Sequence, residues 1–506
     1  MYINLLTFPP YSILPKLINV LKLFKQPAVV TLVICALVLV LTSWFRAYTA
    51  GTIMVDGHNL QGVPEMVVFA SFITALASFS YAYYRLWLHD GLELNTVKML
   101  ALVLTVLFSL MLPMLSNDIF SYLVFGDAAN KGADVYTNAQ CTHFSSFYPY
   151  ITGIWTTSTC AYGPVVLILA MLATWIAGGK VVLALIVYKV LVLLFAFAFI
   201  EAAARVSTLV QSPVRCFTFI VLNPVFLLQG VGQLHPDLIA ITFTLCAMYF
   251  LLTKKWYWAF VLVALGIATK MNYVLVLPFF VVAMALKGNE RFAFNKNMFI
   301  GLALVLAALV VAYLPFYTSV ATITTPFTFH FFQNPSKCIG EILGDIIYFA
   351  PQLLGGHKEQ LQNTVNASTG PAMQLFISNA IVKICQVFAL CSTLYILIRF
   401  IRGEQTLNQW FRVYVRLLLL FLLFYLHIFN PWYLMMFLPF MWVDDEPGFM
   451  RWVIVLTCFI SVQDIVCSVS RDSVVYVAVL VLTFISVMLY LYKPWRMFFT
   501  SLFKKQ

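Results

Sequence analysis

Charge is what this sequence has least of. Only 10% of its 506 residues are charged, against about 25% in a soluble globular chain. With 19 Asp and Glu in all, an acid beside an apolar run is a marked residue. No CxxC motif and no Cys/His cluster at metal-ligand spacing occurs, which excludes a zinc-ribbon or thioredoxin-like reading. Most of the ten cysteines sit inside apolar runs as small hydrophobes. No cleavable leader is evident, because the run after Lys16, Lys22 and Lys25 continues as a spanning segment. No convincing repeat relates the two halves, which weighs against an inverted-repeat transporter.

What is present is apolar: 62% hydrophobic and 16% aromatic residues. Runs of roughly 20 apolar residues, the length that crosses a bilayer, recur from end to end. The chain therefore reads as an all-α polytopic membrane protein. The formal charge of +11 reports orientation rather than nucleic-acid binding, since Lys and Arg stay on the cytoplasmic side. Spans are expected at about 28–45, 65–87, 97–115, 180–203, 214–231, 237–253, 256–269, 272–286, 297–314, 373–398, 411–428, 431–443, 450–468 and 473–492.

Segment 162–177 decides the sidedness of everything after it. If it lies along the interface, 21 Lys and Arg fall inside and 7 outside; if it crosses, most later basic loops move outside. The positive-inside rule selects the first arrangement. The expectation is about fourteen transmembrane helices in the inner (cytoplasmic) membrane with both termini cytoplasmic. Residues 1–506 form one transmembrane domain, with external loops at 116–179 and 315–372 and no soluble C-terminal domain. Loops of this length tend to carry function.

The unusual residues then gather on the outer face. "SNDIF" puts Asn117 and Asp118 at the mouth of a hydrophobic run, followed by Tyr122. "YGP" carries Tyr162, and "LNPVFLLQGVGQLHPDL" carries Asn223, His235 and Asp237. "ATKMNYVLVLPF" places Lys270 and Asn272 in an outer turn. "FNPWY" adds Asn430, Trp432 and Tyr433, and "SVQDIVCSVSRDS" adds Arg471. Each has a plainer reading: Trp and Tyr as interfacial belt residues, the prolines as shapers of helix ends, His235 or the nearby His427 of "HIFNPWY" as a satisfied polar group, Asp118 as a helix N-cap. Lys270 is hardest to dismiss, because a cation amid apolar spans is costly unless partnered.

Together these residues suit a reaction between a lipid-borne anionic donor and a hydroxyl acceptor. Asp118 would take the hydroxyl proton. Lys270, with His235 or Arg471, would balance charge on a departing phosphate. Aromatic faces would pack on sugar rings. Cys141 and Cys160 share one external polar loop, and a disulfide between them is expected.

The ordered series "SNDIFSYLVFG" with "DVY", "YGP", "LNPVFLLQGVGQLHPDL", "ATKMNYVLVLP" and "FNPWYLMMFLP" runs from about 116 to 439. It resembles the GT-C superfamily of integral-membrane glycosyltransferases, particularly bacterial polyprenyl-phosphate-mannose-dependent mannosyltransferases. That resemblance implies a GT-C fold with juxtamembrane helices in the first external loop and a catalytic acid falling on Asp118. It also implies a polyprenyl-phosphate sugar donor, a glycan or glycolipid acceptor in the cell envelope, and inversion at the anomeric carbon. Whether Asp127 or Asp134 shares the base role stays open. Some relatives use a divalent metal and others do not; no metal ligand is assigned and the cofactor is left unknown. Two rival classes are a lipid-linked oligosaccharide flippase, expected to show repeated halves, and a surface-polysaccharide ligase or polymerase, expected to rely on external arginines. Arg46 and Arg471 are the external arginines here.

Overall fold

A computed structural model describes residues 26–53, 63–89, 91–151, 153–286, 295–331, 370–403, 405–426 and 430–443, with isolated helical positions at 343 and between 449 and 457. No strand occurs among the described residues. Among the described residues seven helices are long and apolar enough to cross a membrane, and five apolar ones are shorter. The protein is a multi-pass membrane protein. Its long helices carry the outward apolar stripe that lipid contact requires: Ile186, Val190 and Leu194 recur at four-residue intervals on one, and Leu306 and Val310 on another.

The first helices are α1 (Pro27–Ala50), α2 (Val63–Trp87) and α3 (Leu94–Ser109). The run expected to span 97–115 stops at Ser109, and residues 110–117 lie outside any helix. Pro113 explains part of this, since it lacks an N–H and disfavours helix at the residue before it. Next come α4 (Asp118–Asn130), three 3₁₀ turns, α5 (Pro164–Ala177) and the 29-residue α6 (Val181–Leu209). Helices α4 and α5 run side by side in parallel. Asn130 Nδ2 donates to Met171 O at 2.8 Å and to Thr174 Oγ1 at 3.0 Å. A Cβ on Gly126 would lie 2.5 Å from the Ala170 carbonyl carbon, so this approach requires glycine.

Both ends of α5 meet the same end of the bundle. Gly163 N donates to Thr269 O at 3.0 Å. At the other end, Gly178 in the left-handed region closes α5 and the chain turns directly into α6. Eight residues into α6, Lys189 Nζ reaches Ser109 O at 3.0 Å and also Met111 O, at the end of α3 that leads to Asp118. At the far end of that pair, Lys98 of α3 is ion-paired with Glu201 of α6.

The run 214–231 is not one α-helix. It comprises α7 (Val214–Val221) and, after Pro224, a π-helical stretch over Val225–Gly232. Then follow α8 (Asp237–Leu252), α9 (Trp256–Thr269), a 3₁₀ segment Met271–Val276, α10 (Leu277–Ala285), α11 (Lys296–Tyr313) and α12 (Ala321–Phe331). Helix α12 falls inside the expected second external loop; Trp155 stacks on its Phe329 at 5.7 Å and Asp134 accepts from Thr318 at 2.6 Å, so the two loops touch. The last elements are α13 (Gly370–Arg402) and α14 (Leu407–Leu420), which a π turn extends over Phe421–Tyr425. The segment expected as a span at 431–443 is instead a buried 3₁₀ stretch, Pro431–Phe440, whose Pro439 bars a continuous α-helix. The span expected at 473–492 and most of that at 450–468 lie outside the described residues.

Candidate active site

Five chain segments deliver side chains to one end of the bundle. Asp118 is the first residue of α4, where the helix dipole favours a carboxylate. Its backbone is fixed locally: its N–H donates to Ser116 Oγ at 3.2 Å and its carbonyl accepts from Ser121 Oγ at 2.7 Å. Asn117, not Asp118, holds the N-cap position of α4. Asp118 Oδ2 instead accepts from the Tyr162 hydroxyl at 3.4 Å and lies 3.9 Å from His235 Nδ1. The Asp118 side chain keeps 16% of its exposure while that of His235 keeps none.

His235 sits just after a strained turn. Leu234 has φ 63°, a conformation costing a non-glycine residue about 1–3 kcal/mol. The His235 ring stacks on Trp432 with centroids 3.7 Å apart and planes 18° from parallel. Trp432 and Tyr433 open the 3₁₀ stretch, where Tyr433 N donates to Asn430 O at 3.0 Å.

Behind this layer lies a buried ion pair. Asp237 begins α8 and Lys270 follows the last residue of α9, so the anion meets a positive helix end and the cation a negative one. Lys270 Nζ donates to Asp237 Oδ2 at 2.7 Å, with side-chain exposures of 2% and 0%. The Tyr273 hydroxyl donates to Asp237 O at 3.1 Å, and Lys270 Nζ lies 4.4 Å from the centroid of the Tyr433 ring. Asp118 is close enough to act on Lys270 electrostatically. Asn272, 1% exposed, has neither amide atom hydrogen-bonded among the described residues.

An aromatic wall flanks the acid. Tyr122 meets Tyr162 edge-on at 4.6 Å, and Trp155 stacks on Tyr162 at 6.0 Å. Asn117 immediately precedes α4.

Not every residue expected here arrives. Asn223 lies at the α7 break instead, its Oδ1 accepting from Val225 N at 3.0 Å and its Nδ2 3.4 Å from the Tyr83 hydroxyl. Arg471 lies outside the described residues. The expected Cys141–Cys160 disulfide is not formed. Both are buried free thiols, with Cys141 Sγ 3.9 Å from Val135 O and Cys160 Sγ 3.5 Å from Tyr162 O. Burial pushes the two thiols up to about 11 and about 12. Asp127 and Asp134 anchor loops: Asp127 accepts from Ser146 N at 2.7 Å and Lys131 at 3.0 Å, Asp134 from Tyr136 N at 3.0 Å and Thr137 N at 3.1 Å. Among the described residues no group of three or more His, Cys, Asp or Glu gathers to hold a metal. Sequence reasoning missed Tyr273, although its place three residues after Lys270 marks it.

The family described as "Alpha-(1->6)-mannopyranosyltransferase, N-terminal domain" matches residues 21–286, more than half of the chain and all of Asp118, Tyr162, His235, Asp237, Lys270 and Asn272. The chain belongs to this GT-C mannosyltransferase family. Alpha-(1->6)-mannopyranosyltransferase A of Corynebacterium glutamicum is 25% identical over 195 residues, 38% of this chain and 39% of that enzyme. Its Mycobacterium tuberculosis counterpart is 26% identical over 176 residues, 34% of each chain. Alpha-(1->6)-mannopyranosyltransferase B of C. glutamicum is 27% identical over 148 residues, 27% of this chain and 23% of that one. The aligned stretches thus span about a quarter to two-fifths of these relatives. Trp432 and Tyr433 lie beyond the family match, supplied by a later part of the chain.

Proposed function

We propose that this protein is an inverting mannosyltransferase, moving a mannose-like hexose from a polyprenyl-phosphate donor to a hydroxyl of a lipid-linked or envelope glycan. The observation that carries this reading is the part-exposed Asp118 carboxylate, faced by the Tyr162 hydroxyl and the His235–Trp432 stack at 3.4 and 3.9 Å. The names of the relatives favour mannose among the hexoses.

In this mechanism the acceptor oxygen attacks the anomeric carbon of the donor. The bond from that carbon to the phosphate oxygen breaks, and its electron pair leaves on the polyprenyl phosphate. Asp118 accepts the proton of the acceptor hydroxyl. One displacement inverts the anomeric centre. Lys270, held by Asp237 and capped by Tyr433, supplies a fixed positive charge toward the leaving phosphate; a cation already oriented needs no reorganisation as charge develops. His235 and Arg471 serve the same phosphate, and Tyr122, Tyr162, Trp432 and Tyr433 offer faces to the sugar, with Asn117 and Asn430 at the rim. Asn272 waits for a sugar hydroxyl; a buried amide left unpaired costs about 1–3 kcal/mol, which a ligand hydrogen bond relieves.

The site faces outward, with both termini cytoplasmic. Support comes from the charge distribution and from α5, both ends of which lie at the Asp118 end of the bundle. The test is to incubate purified protein with a panel of polyprenyl-phosphate sugars and an envelope-lipid extract. Consumption of the mannosyl donor above all others is expected. Consumption of none, or transport without cleavage, overturns the reading.

A further inference from the structure

The chain that carries Asp118 is held in place by side chains rather than by its own helix. Residues 110–117 lie outside any helix; Leu110 N and Met111 N still close onto Leu107 O and Phe108 O at 3.0 Å, and other polar groups of the segment are met from three other elements. Lys189 of α6 donates to the carbonyls of Ser109 and Met111. From α1, Trp44 Nε1 donates to Leu110 O at 3.0 Å and Ser43 Oγ accepts from Leu112 N at 3.0 Å. Nearest to the acid, Gln233 Oε1 accepts from both Met114 N at 2.9 Å and Leu115 N at 2.8 Å.

We propose that Gln233 is a positioning residue for the transfer reaction, its carboxamide oxygen setting the Asp118 carboxylate against His235. This rests on the reaction assigned to Asp118 above. One amide oxygen has two lone pairs, and here both are spent on consecutive N–H groups of the approach to α4. Gln233 is 1% exposed, so those N–H groups have no water to turn to. Its Nε2 lies 3.8 Å from Met111 Sδ, a second hold on the same segment.

The other end of the link is equally fixed. Gln233 N donates to Leu228 O at 2.9 Å and His235 N donates to Gln229 O at 3.2 Å, with Leu234 in the left-handed conformation between them. A single side chain thus ties the turn bearing His235 to the segment bearing Asp118. The two groups belong to different elements, and this tie and the 3.9 Å contact itself join them. A merely structural glutamine would contribute to folding and leave the chemistry alone; a positioning one changes turnover while binding persists.

The test compares Gln233→Met, of matching length but with no acceptor, and Gln233→Glu, which keeps an oxygen at the same reach. Turnover, the KM for donor and acceptor, and amide hydrogen exchange over residues 111–130 are measured for both. Gln233→Met is expected to lower kcat about 10- to 100-fold, the scale of a roughly ångström-sized misplacement, with both KM values within roughly twofold. Gln233→Glu is expected to recover most of the loss. Exchange at Met114 and Leu115 is expected to quicken in Gln233→Met while α4 is unchanged. Wild-type kcat in Gln233→Met, or equal loss in both variants with KM rising in step, overturns the proposal. If the wild type itself transfers no sugar, the reaction assigned to Asp118 falls separately, and unchanged exchange at Met114 and Leu115 overturns the tie itself. Should Gln233→Met not accumulate folded, Gln233→Asn, one methylene too short to reach, takes its place with the same expectations.

Discussion

The Tyr162 hydroxyl donates to the Asp118 carboxylate across 44 residues, and the same offset recurs where Asn130 donates to Thr174 and where Gly126 abuts Ala170. Helices α4 and α5 are therefore locked in one register from first turn to last, and that register brings Tyr162 to the acid.

The lock depends on Gly163. A Cβ there would lie 2.1 Å from Ala268 O, against main chain that has no room to yield. Gly163→Ala is expected to lower stability by about 1–3 kcal/mol and, by moving the start of α5 off α9, to separate Tyr162 from Asp118. Thermal unfolding in detergent and transfer turnover, measured together, check this. Loss of neither would mean that the two helices shift freely.

The Lys270–Asp237 pair joins α8 to the end of α9, and the proposed mechanism also gives Lys270 the donor phosphate. Either Lys270→Met or Asp237→Asn alone leaves a buried charge uncompensated and is expected to cost about 3–5 kcal/mol. The double variant is expected to regain most of that stability yet bind the polyprenyl-phosphate donor weakly. Unfolding in a double-mutant cycle and donor titration separate the two roles. A stable double variant with wild-type donor affinity would leave Lys270 a purely structural clasp.

Asp134 makes the contact between the two loops pH-dependent. Burial raises its carboxyl, but hydrogen bonds from Thr137 and Thr318 outweigh that and hold it below the ordinary value. A carboxylate depressed on folding adds stability above its unfolded pKa of about 3.9, and that contribution is lost as pH falls through the folded value. Between about pH 5 and pH 3 the wild type is expected to lose more melting temperature than Asp134→Asn. Equal losses would show that the Asp134–Thr318 bond adds nothing.

Much of this was legible in the residues. Apolar runs gave α8 and α9 within a residue, because nothing in 237–253 or 256–269 competes with helix until the polar turn arrives. Asp118, His235, Lys270 and Trp432 were all marked as polar or aromatic groups where an apolar span ends. What was not legible is pairing. Asp237 and Lys270 both stood out, but their mutual contact depends on how α8 and α9 lie side by side. Gln233 looked like an ordinary polar residue in "GQLHPDL", since its partners are backbone amides more than a hundred positions away. Residues 431–440 read as a span because eight of the ten are apolar side chains, whereas Pro431 and Pro439 make a 3₁₀ stretch wholly inside the protein. Asn223 followed the same pattern as Asn272 in sequence, yet the Pro224 break claims its side chain for the backbone.

The central claim is that Asp118 takes the proton of the acceptor hydroxyl, and Asp118→Asn tests it most directly. The amide keeps the size of the side chain and its place beside Tyr162 but cannot accept a proton at neutral pH. With polyprenyl-phosphate mannose as donor, the variant is expected to fold and to bind donor within about threefold of wild type. Its turnover is expected to fall by at least about 10²-fold, in line with the loss of a general base. Turnover near that of the wild type in a folded Asp118→Asn protein would contradict the account.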